Sequence, residues 1–131
     1  MNIGQLAKAS GVNSKLIRYY ESIELIPAAQ RTDSNYRVYR SEDVHLLKFI
    51  KRSRNLGFSI PEIEILLGLW NDADRSSAEV KDLATKHILA LEAKAQEIQT
   101  VLKTLKQLVE SCHGDTRSEC PILEDLADGH L

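Results

Sequence analysis

Residues 1–25, MNIGQLAKASGVNSKLIRYYESIEL, decide how this chain folds. Asn2 has a side chain suited to capping a helix, and Ile3, Leu6 and Ala7 follow at helical spacing on one apolar face. Ser10-Gly11-Val12 ends that helix, because Gly11 can adopt φ > 0 and Val12 supplies an apolar plug. Asn13 then caps a second helix, on which Leu16, Ile17 and Tyr20 face inward while Lys15, Arg18 and Tyr19 lie elsewhere on the surface. Two short helices joined by a tight glycine turn form a helix-turn-helix, whose second helix enters the major groove of DNA. Helical hairpins that bind nothing share this pattern, so the flanking sequence has to decide.

Immediately downstream, Pro27 precedes an Asp33-Ser34-Asn35 turn flanked by Arg31 and by the alternating Tyr36-Arg37-Val38-Tyr39-Arg40. Period-two alternation about a polar turn predicts a small β-hairpin, and its Arg and Tyr side chains can reach phosphates beside a groove. Tyr36 and Tyr39 could equally be packing residues of the hairpin, and Tyr39 beside Val38 fits that better. Ser41 is expected to cap the next helix, with Glu42 and Asp43 in its first turn and Val44, Leu47, Ile50 and Leu56 as its apolar residues. Gly57 ends it. Ser59 and Glu62 then fit a capping box, Phe58 and Ile63 a hydrophobic staple, and Ile60, Ile63, Leu66, Leu67 and Trp70 read as core.

The net charge of −2 conceals an asymmetry. Residues 1–56 hold ten Lys/Arg against five acids, whereas the rest of the chain holds seven basic and fourteen acidic residues. A basic front half fits a polyanion, although charge alone is more simply a solvated face. The start of the chain lacks the basic and apolar segments of a signal peptide, and no apolar run is long enough for a membrane helix. A cytoplasmic location is expected, where a structural disulfide is disfavoured.

After a polar break at 71–77, residues 78–111 run 34 positions without Gly or Pro. Ala84, Leu91, Ala95, Ile98, Val101, Leu105 and Leu108 recur in steps of three and four, with His87 on the same stripe and Cys112 next in phase. Such a stripe indicates a coiled-coil seam and a homodimer, with His87 a polar seam residue rather than a ligand. The chain leaves this helix at Cys112 and returns at Cys120-Pro121, where Pro121 can open a short helix carrying Ile122, Leu123 and Leu126.

Cys112 and Cys120 are the only two cysteines. No CxxC is present, so structural zinc would need His113, His130 or acids as further ligands, and a redox pair lacks its stronger signs. Two thiolates without further evident donors suit a soft monovalent d¹⁰ ion: Cu(I), with Ag(I) and Au(I) as mimics. Two unrelated free cysteines would have the same spacing.

Four segments, IGQLAKASGVNSKLIRYYE, NYRVYR, LLKFIKRSRNLGFSIPEIEILL and the Cys112-x7-Cys120-Pro121-Ile122 loop, resemble the MerR family of metal- and drug-responsive transcription activators, and specifically its copper-responsive branch. The resemblance spans the whole chain. It implies a mainly α fold: a winged helix-turn-helix DNA-binding domain over 1–70 (helix-turn-helix about 3–23, wing about 31–40), a long antiparallel coiled-coil dimerisation helix over 78–111, and a C-terminal metal-binding loop with a short helix over 112–131. By the same resemblance, groove and wing contacts fall on Lys15, Arg18, Tyr20, Arg31, Tyr36 and Arg37, with Arg54 on the DNA backbone. The groove role for Tyr20 conflicts with its inward position on the helix. Ser77 stands where divalent-metal relatives carry an additional cysteine, which favours a two-ligand, +1 site. Redox-sensing relatives have a cluster of four cysteines that this chain lacks, multidrug relatives have a larger C-terminal domain, and only Gly129-His130-Leu131 stands for the family's longer tail.

The function so implied is a Cu(I)-responsive activator of copper efflux or detoxification genes, working as a homodimer on double-stranded promoter DNA that already holds RNA polymerase. Metal binding would change the dimer's shape and so bend and untwist the promoter, a readout through DNA deformation. A divalent-metal or thiol-redox sensor on the same fold, and a helical adaptor protein, are the competing readings. No nucleophile–base or paired-carboxylate constellation points to an enzyme.

Overall fold

A computed structural model describes residues 1–112, 114 and 118–129. Helix α1 (Ile3–Ser10) opens on a reciprocal cap: Asn2 Oδ1 accepts the Gln5 N–H at 2.8 Å, and Gln5 Oε1 accepts the Asn2 N–H at 2.8 Å. Gly11 closes it at φ +76°, donating its N–H to the Ala7 carbonyl. Across the turn the buried Ser10 hydroxyl accepts the Val12 N–H at 3.2 Å, and Asn13 caps α2 (Ser14–Ser22) by accepting the Leu16 N–H at 2.8 Å.

The hairpin is a two-stranded antiparallel ribbon, β1 (Gln30–Arg31) and β2 (Arg37–Val38), with Gln30 opposite Val38 and Arg31 opposite Arg37. Asn35 takes the left-handed conformation (φ +67°) in its turn, a geometry that asparagine tolerates better than most residues. The Thr32 carbonyl and hydroxyl accept the Asn35 and Tyr36 N–H groups at 2.8 and 3.1 Å. Just beyond β2, Tyr39 pairs with the first residue: its N–H donates to the Met1 carbonyl at 2.8 Å, and its carbonyl accepts from the Met1 amino group at 2.9 Å.

Two longer helices, α3 (Ser41–Asn55) and α4 (Ile60–Asn71), back the helix-turn-helix. The cap of α3 differs from expectation. Ser41 is already helical, Arg40 occupies the cap position, and the Asp43 carboxylate accepts the Arg40 N–H at 2.9 Å. At α4 the expected capping box is present, with Ser59 Oγ accepting the Glu62 N–H and Glu62 Oε1 accepting the Ser59 N–H. Leu6, Ile17, Ile26, Leu47, Ile50 and Ile63, drawn from α1, α2, the segment before the wing, α3 and α4, are fully buried and share one core.

Three residues expected inside are not. Leu16 is 41% exposed: the buried stripe of α2 runs through Ile17 and Tyr20, and Leu16 lies at its edge, about 40° from Tyr20 and about 100° from Ile17. Leu56 is 47% exposed at the end of α3. Trp70, in the last turn of α4, is half covered: its ring stacks on Phe49 at 4.4 Å and 11°, and the residue is 44% exposed.

The chain divides into two compact units, Met1–Val80 and Lys81–Leu131. Helix α5 (Ser77–Ser111) has 35 residues and a length of about 52 Å, and begins one residue before the expected start. Along it Leu91, Ile98, Val101 and Leu105 are all 41–59% exposed, so the predicted seam is present and uncovered within one chain. Helix α6 (Pro121–Asp128) starts with proline at its first position and ends on Gly129 at φ +68°.

The Gly11 turn generates a test of the fold. A Cβ there would demand φ +76° of a non-glycine residue and would stand 2.8 Å from Lys51 Nζ, which donates to the Gly11 carbonyl at 3.0 Å. Gly11→Ala is expected to lower the unfolding free energy by about 1–2 kcal/mol in urea at fixed protein concentration. An unchanged midpoint would show that the turn relaxes without strain.

Candidate nucleic-acid interface and thiol site

Helix α2 has nine residues and two distinct sides. Ile17 and Tyr20 enter the core, while Lys15, Arg18 and Tyr19 are exposed. The wing adds exposed Arg31, Tyr36 and Arg37, with Tyr36 standing 72% in solvent at the tip. Arg31 Nη1 donates to the Asn35 carbonyl at 3.0 Å, which ties this side chain across the turn. Arg18, Arg31 and Arg37 meet around one surface pocket of about 250 Å³, so two elements deliver three guanidinium groups to one place. Planar donor forks gathered this way match phosphate oxygens.

On the opposite flank of α2, Lys51 and Arg54 of α3 line a second pocket of about 360 Å³ with Gly11, Asn13, Leu16 and Tyr20. Arg54 Nη1 donates to the Phe58 carbonyl at 3.3 Å, fixing it at the end of α3. Tyr20, a groove contact by resemblance, is 5% exposed and packs in the core with Ile17 while also lining this pocket.

The residue that sequence reading missed is Glu21. Its Oε1 accepts the Ala29 N–H just before β1, its Oε2 accepts the Tyr39 hydroxyl just after β2 at 3.3 Å, and Arg37 Nη1 lies 3.7 Å from the same oxygen. The side chain is 12% exposed, so one carboxylate on α2 anchors both legs of the wing from a shielded position. No local signal marks it, because its partners lie eight to eighteen residues further along the chain. Burial and the Glu21 charge hold the Tyr39 phenol above its ordinary range, with Arg37 opposing.

The thiol site sits where α5 gives way to α6. Cys112 follows the last residue of α5, its N–H donating to the Leu108 and Val109 carbonyls, and Cys120 takes the cap position of α6. Both are free and half-buried. Cys120 makes no conventional capping hydrogen bond, yet its thiol lies below the ordinary range. The largest cause is the backbone N–H of Leu123; partial burial opposes it, and the Ile122 N–H and the neighbouring Cys112 thiol assist. A sulfur already biased towards thiolate is a ready ligand for a soft metal. Among the described residues no three His, Cys, Asp or Glu side chains converge on a metal-sized space. His113 and His130, considered as further donors, lie outside the described residues, as do Asp115, Thr116 and Arg117 of the loop. Ser77 is exposed at the start of α5. None of the helices among the described residues is long and apolar enough to cross a membrane.

A helix-turn-helix with a β-ribbon beside it and a long helix carrying an uncovered apolar stripe defines a class of DNA-binding regulators, and the family comparisons agree. The model for MerR HTH family regulatory proteins matches residues 1–69, and the model for MerR, DNA binding, matches residues 44–108. The chain belongs to the MerR family of DNA-binding transcription regulators, which are not enzymes. It is 54% identical over 129 residues to Heavy metal-dependent transcription regulator 2 of Rhizobium meliloti, covering 98% of this chain and 88% of that protein. It is 35% identical over 127 residues to the regulator CueR of Escherichia coli O6:H1, covering 97% and 94%. Among solved structures, the regulator PbrR691 of Ralstonia metallidurans in complex with lead(II) superimposes with a TM-score of 0.83 at 33% identity, covering 96% of this chain and 98% of that one.

The Tyr39–Glu21 pair gives a pH signature. With the folded pKa raised, the stability this phenol contributes is fully present below the ordinary phenol pKa and is lost as the pH climbs through the raised value. In a spectrophotometric titration of the native protein, one of the four tyrosines should ionise above the ordinary range, and Tyr39→Phe should remove that step. Glu21→Gln should move it down; an unmoved step would mean that the Glu21 charge plays no part.

Proposed function

We propose that this chain is a Cu(I)-responsive transcriptional activator that works as a homodimer on promoter DNA. The observation that carries the reading is the thiol pair: two free, half-buried cysteines, one directly after α5 and one at the cap of α6, with the Cys120 thiol biased towards thiolate by the Leu123 N–H. Two sulfur donors fit a soft monovalent ion that accepts two-coordination, so Cu(I) is the favoured ligand and Ag(I) and Au(I) are chemical mimics. Serine at position 77 agrees with a site that needs no third thiolate. The metal-dependent names of the relatives support metal sensing as such, and the lead(II) bound to PbrR691 makes a soft divalent ion the reading to test against.

The metal, when bound, supplies a link between the two sulfurs. Cys112 and Cys120 would then hold the end of α5 to the start of α6, closing the loop between them. The exposed stripe of α5 through Leu91, Ile98, Val101 and Leu105 supports pairing with a second copy, because one chain leaves it wet. Lys15 and Arg18 serve as groove residues, Arg31, Tyr36 and Arg37 as wing contacts, and Arg54 as a backbone contact. Loop closure favours the activating shape of the dimer, which bends and untwists the promoter for RNA polymerase already bound there. The metal can shift that equilibrium only as far as it binds the activating shape better than the repressing one.

Two outcomes are expected. Under reducing conditions Cu(I) should displace Zn(II) and Pb(II) in competition, and Cys112→Ser or Cys120→Ser should abolish metal-dependent transcription while leaving duplex binding within about twofold. Zn(II) or Pb(II) holding against Cu(I), or loss of DNA binding in the serine variants, would contradict the reading. Separately, Arg31→Ala should weaken binding evenly across sequences and reduce the slope of log affinity against log salt by about 1 per contact removed. An unchanged slope would remove Arg31 from the phosphate contacts.

A further inference from the structure

We propose that Glu21 is the positioning residue of the DNA-binding face, setting the wing against α2 and aiming Arg37. This rests on the reading above that α2 and the wing contact DNA. A carboxylate between Arg18, Arg31 and Arg37 is, by charge alone, a poor choice for a surface that meets a polyanion. Its geometry supplies the reason for it. Both oxygens are committed inward, Oε1 to the Ala29 N–H and Oε2 to the Tyr39 hydroxyl, and the side chain is 12% exposed. Arg37 keeps a side chain 40% exposed while one of its nitrogens lies 3.7 Å from Oε2.

Each wing strand has two residues, too few to hold a fixed angle by ladder hydrogen bonds alone. The second strand is further held where the Tyr39 backbone pairs with Met1, while Glu21 ties α2 to the residue before β1 and the residue after β2 through one carboxylate. With Nη1 held 3.7 Å from Oε2, the Arg37 side chain stays 40% exposed and within reach of a phosphate. The ordering entropy of a long arginine is thereby met before DNA arrives.

The experiment uses the full-length protein and two probes: a duplex selected by the wild type from a random-sequence pool, and a scrambled duplex of equal length. Glu21→Gln keeps the shape of the side chain and an oxygen for the Ala29 N–H but gives up the charge facing Arg37. If Glu21 were only an unfavourable charge, Glu21→Gln would tighten binding to both duplexes. Positioning predicts the reverse for the selected duplex, about tenfold weaker, with scrambled binding unchanged or tighter. In a double-mutant cycle Arg37→Ala should cost about tenfold in the wild-type background and about twofold in the Glu21→Gln background. Additive effects, or tighter binding to both probes, would overturn the inference while Arg18→Ala still weakened binding. Loss of any Arg18→Ala effect would overturn the DNA-face reading together with it. Thermal melting of each variant separates these results from unfolding.

Discussion

A nine-residue helix cannot persist alone in water, yet α2 has to be held on one side and left open on the other. That constraint organises Met1–Val80. Ile17 and Tyr20 give α2 its grip on the core, the Gly11 turn fixes its start, and Lys51 of α3 secures that turn from behind by donating to the Gly11 carbonyl. Glu21 then extends the hold to the wing. Lys15, Arg18 and Tyr19 are what remains once these demands are met, so the open side of α2 follows from how the other side is anchored.

A different constraint governs the second unit. Helix α5 carries apolar residues at a repeat suited to a partner helix and fully buries none of them within one chain. Its far end stops where the backbone reaches Cys112, and Cys120 restarts helix at Pro121. A link between the two sulfurs would therefore join two helix termini rather than two loops, which makes the site suited to convert ligand binding into a change of helix geometry. In the reading proposed above this is where the input enters, and the apolar stripe is how it is shared with a second copy.

Much of this was legible because it is local. Asn2, Asn13, Ser59 and Pro121 announce helix starts through side-chain chemistry that acts within three residues, and each does so in the structure. Asn35 and the alternating Tyr36–Arg40 announced the wing in the same way. What escaped depends on tertiary packing. Leu16 and Trp70 read as core by type and spacing, but periodicity cannot say how wide a stripe the neighbouring elements will cover. The helical spacing that puts Tyr20 beside Ile17 was, by contrast, a sound guide to its burial. Glu21 was illegible because its partners, Ala29, Arg37 and Tyr39, lie eight to eighteen residues away and converge only when the wing folds back. The thiol pair was visible as spacing, but not the Leu123 and Ile122 amides that favour thiolate at Cys120.

The central claim is that two cysteine sulfurs make up the whole ligand set for a soft monovalent ion. X-ray absorption at the copper edge of the Cu(I)-loaded, reduced protein tests it most directly. The account predicts a two-coordinate, sulfur-only site with one copper per chain. A three- or four-coordinate site, or nitrogen or oxygen in the first coordination sphere, would contradict it.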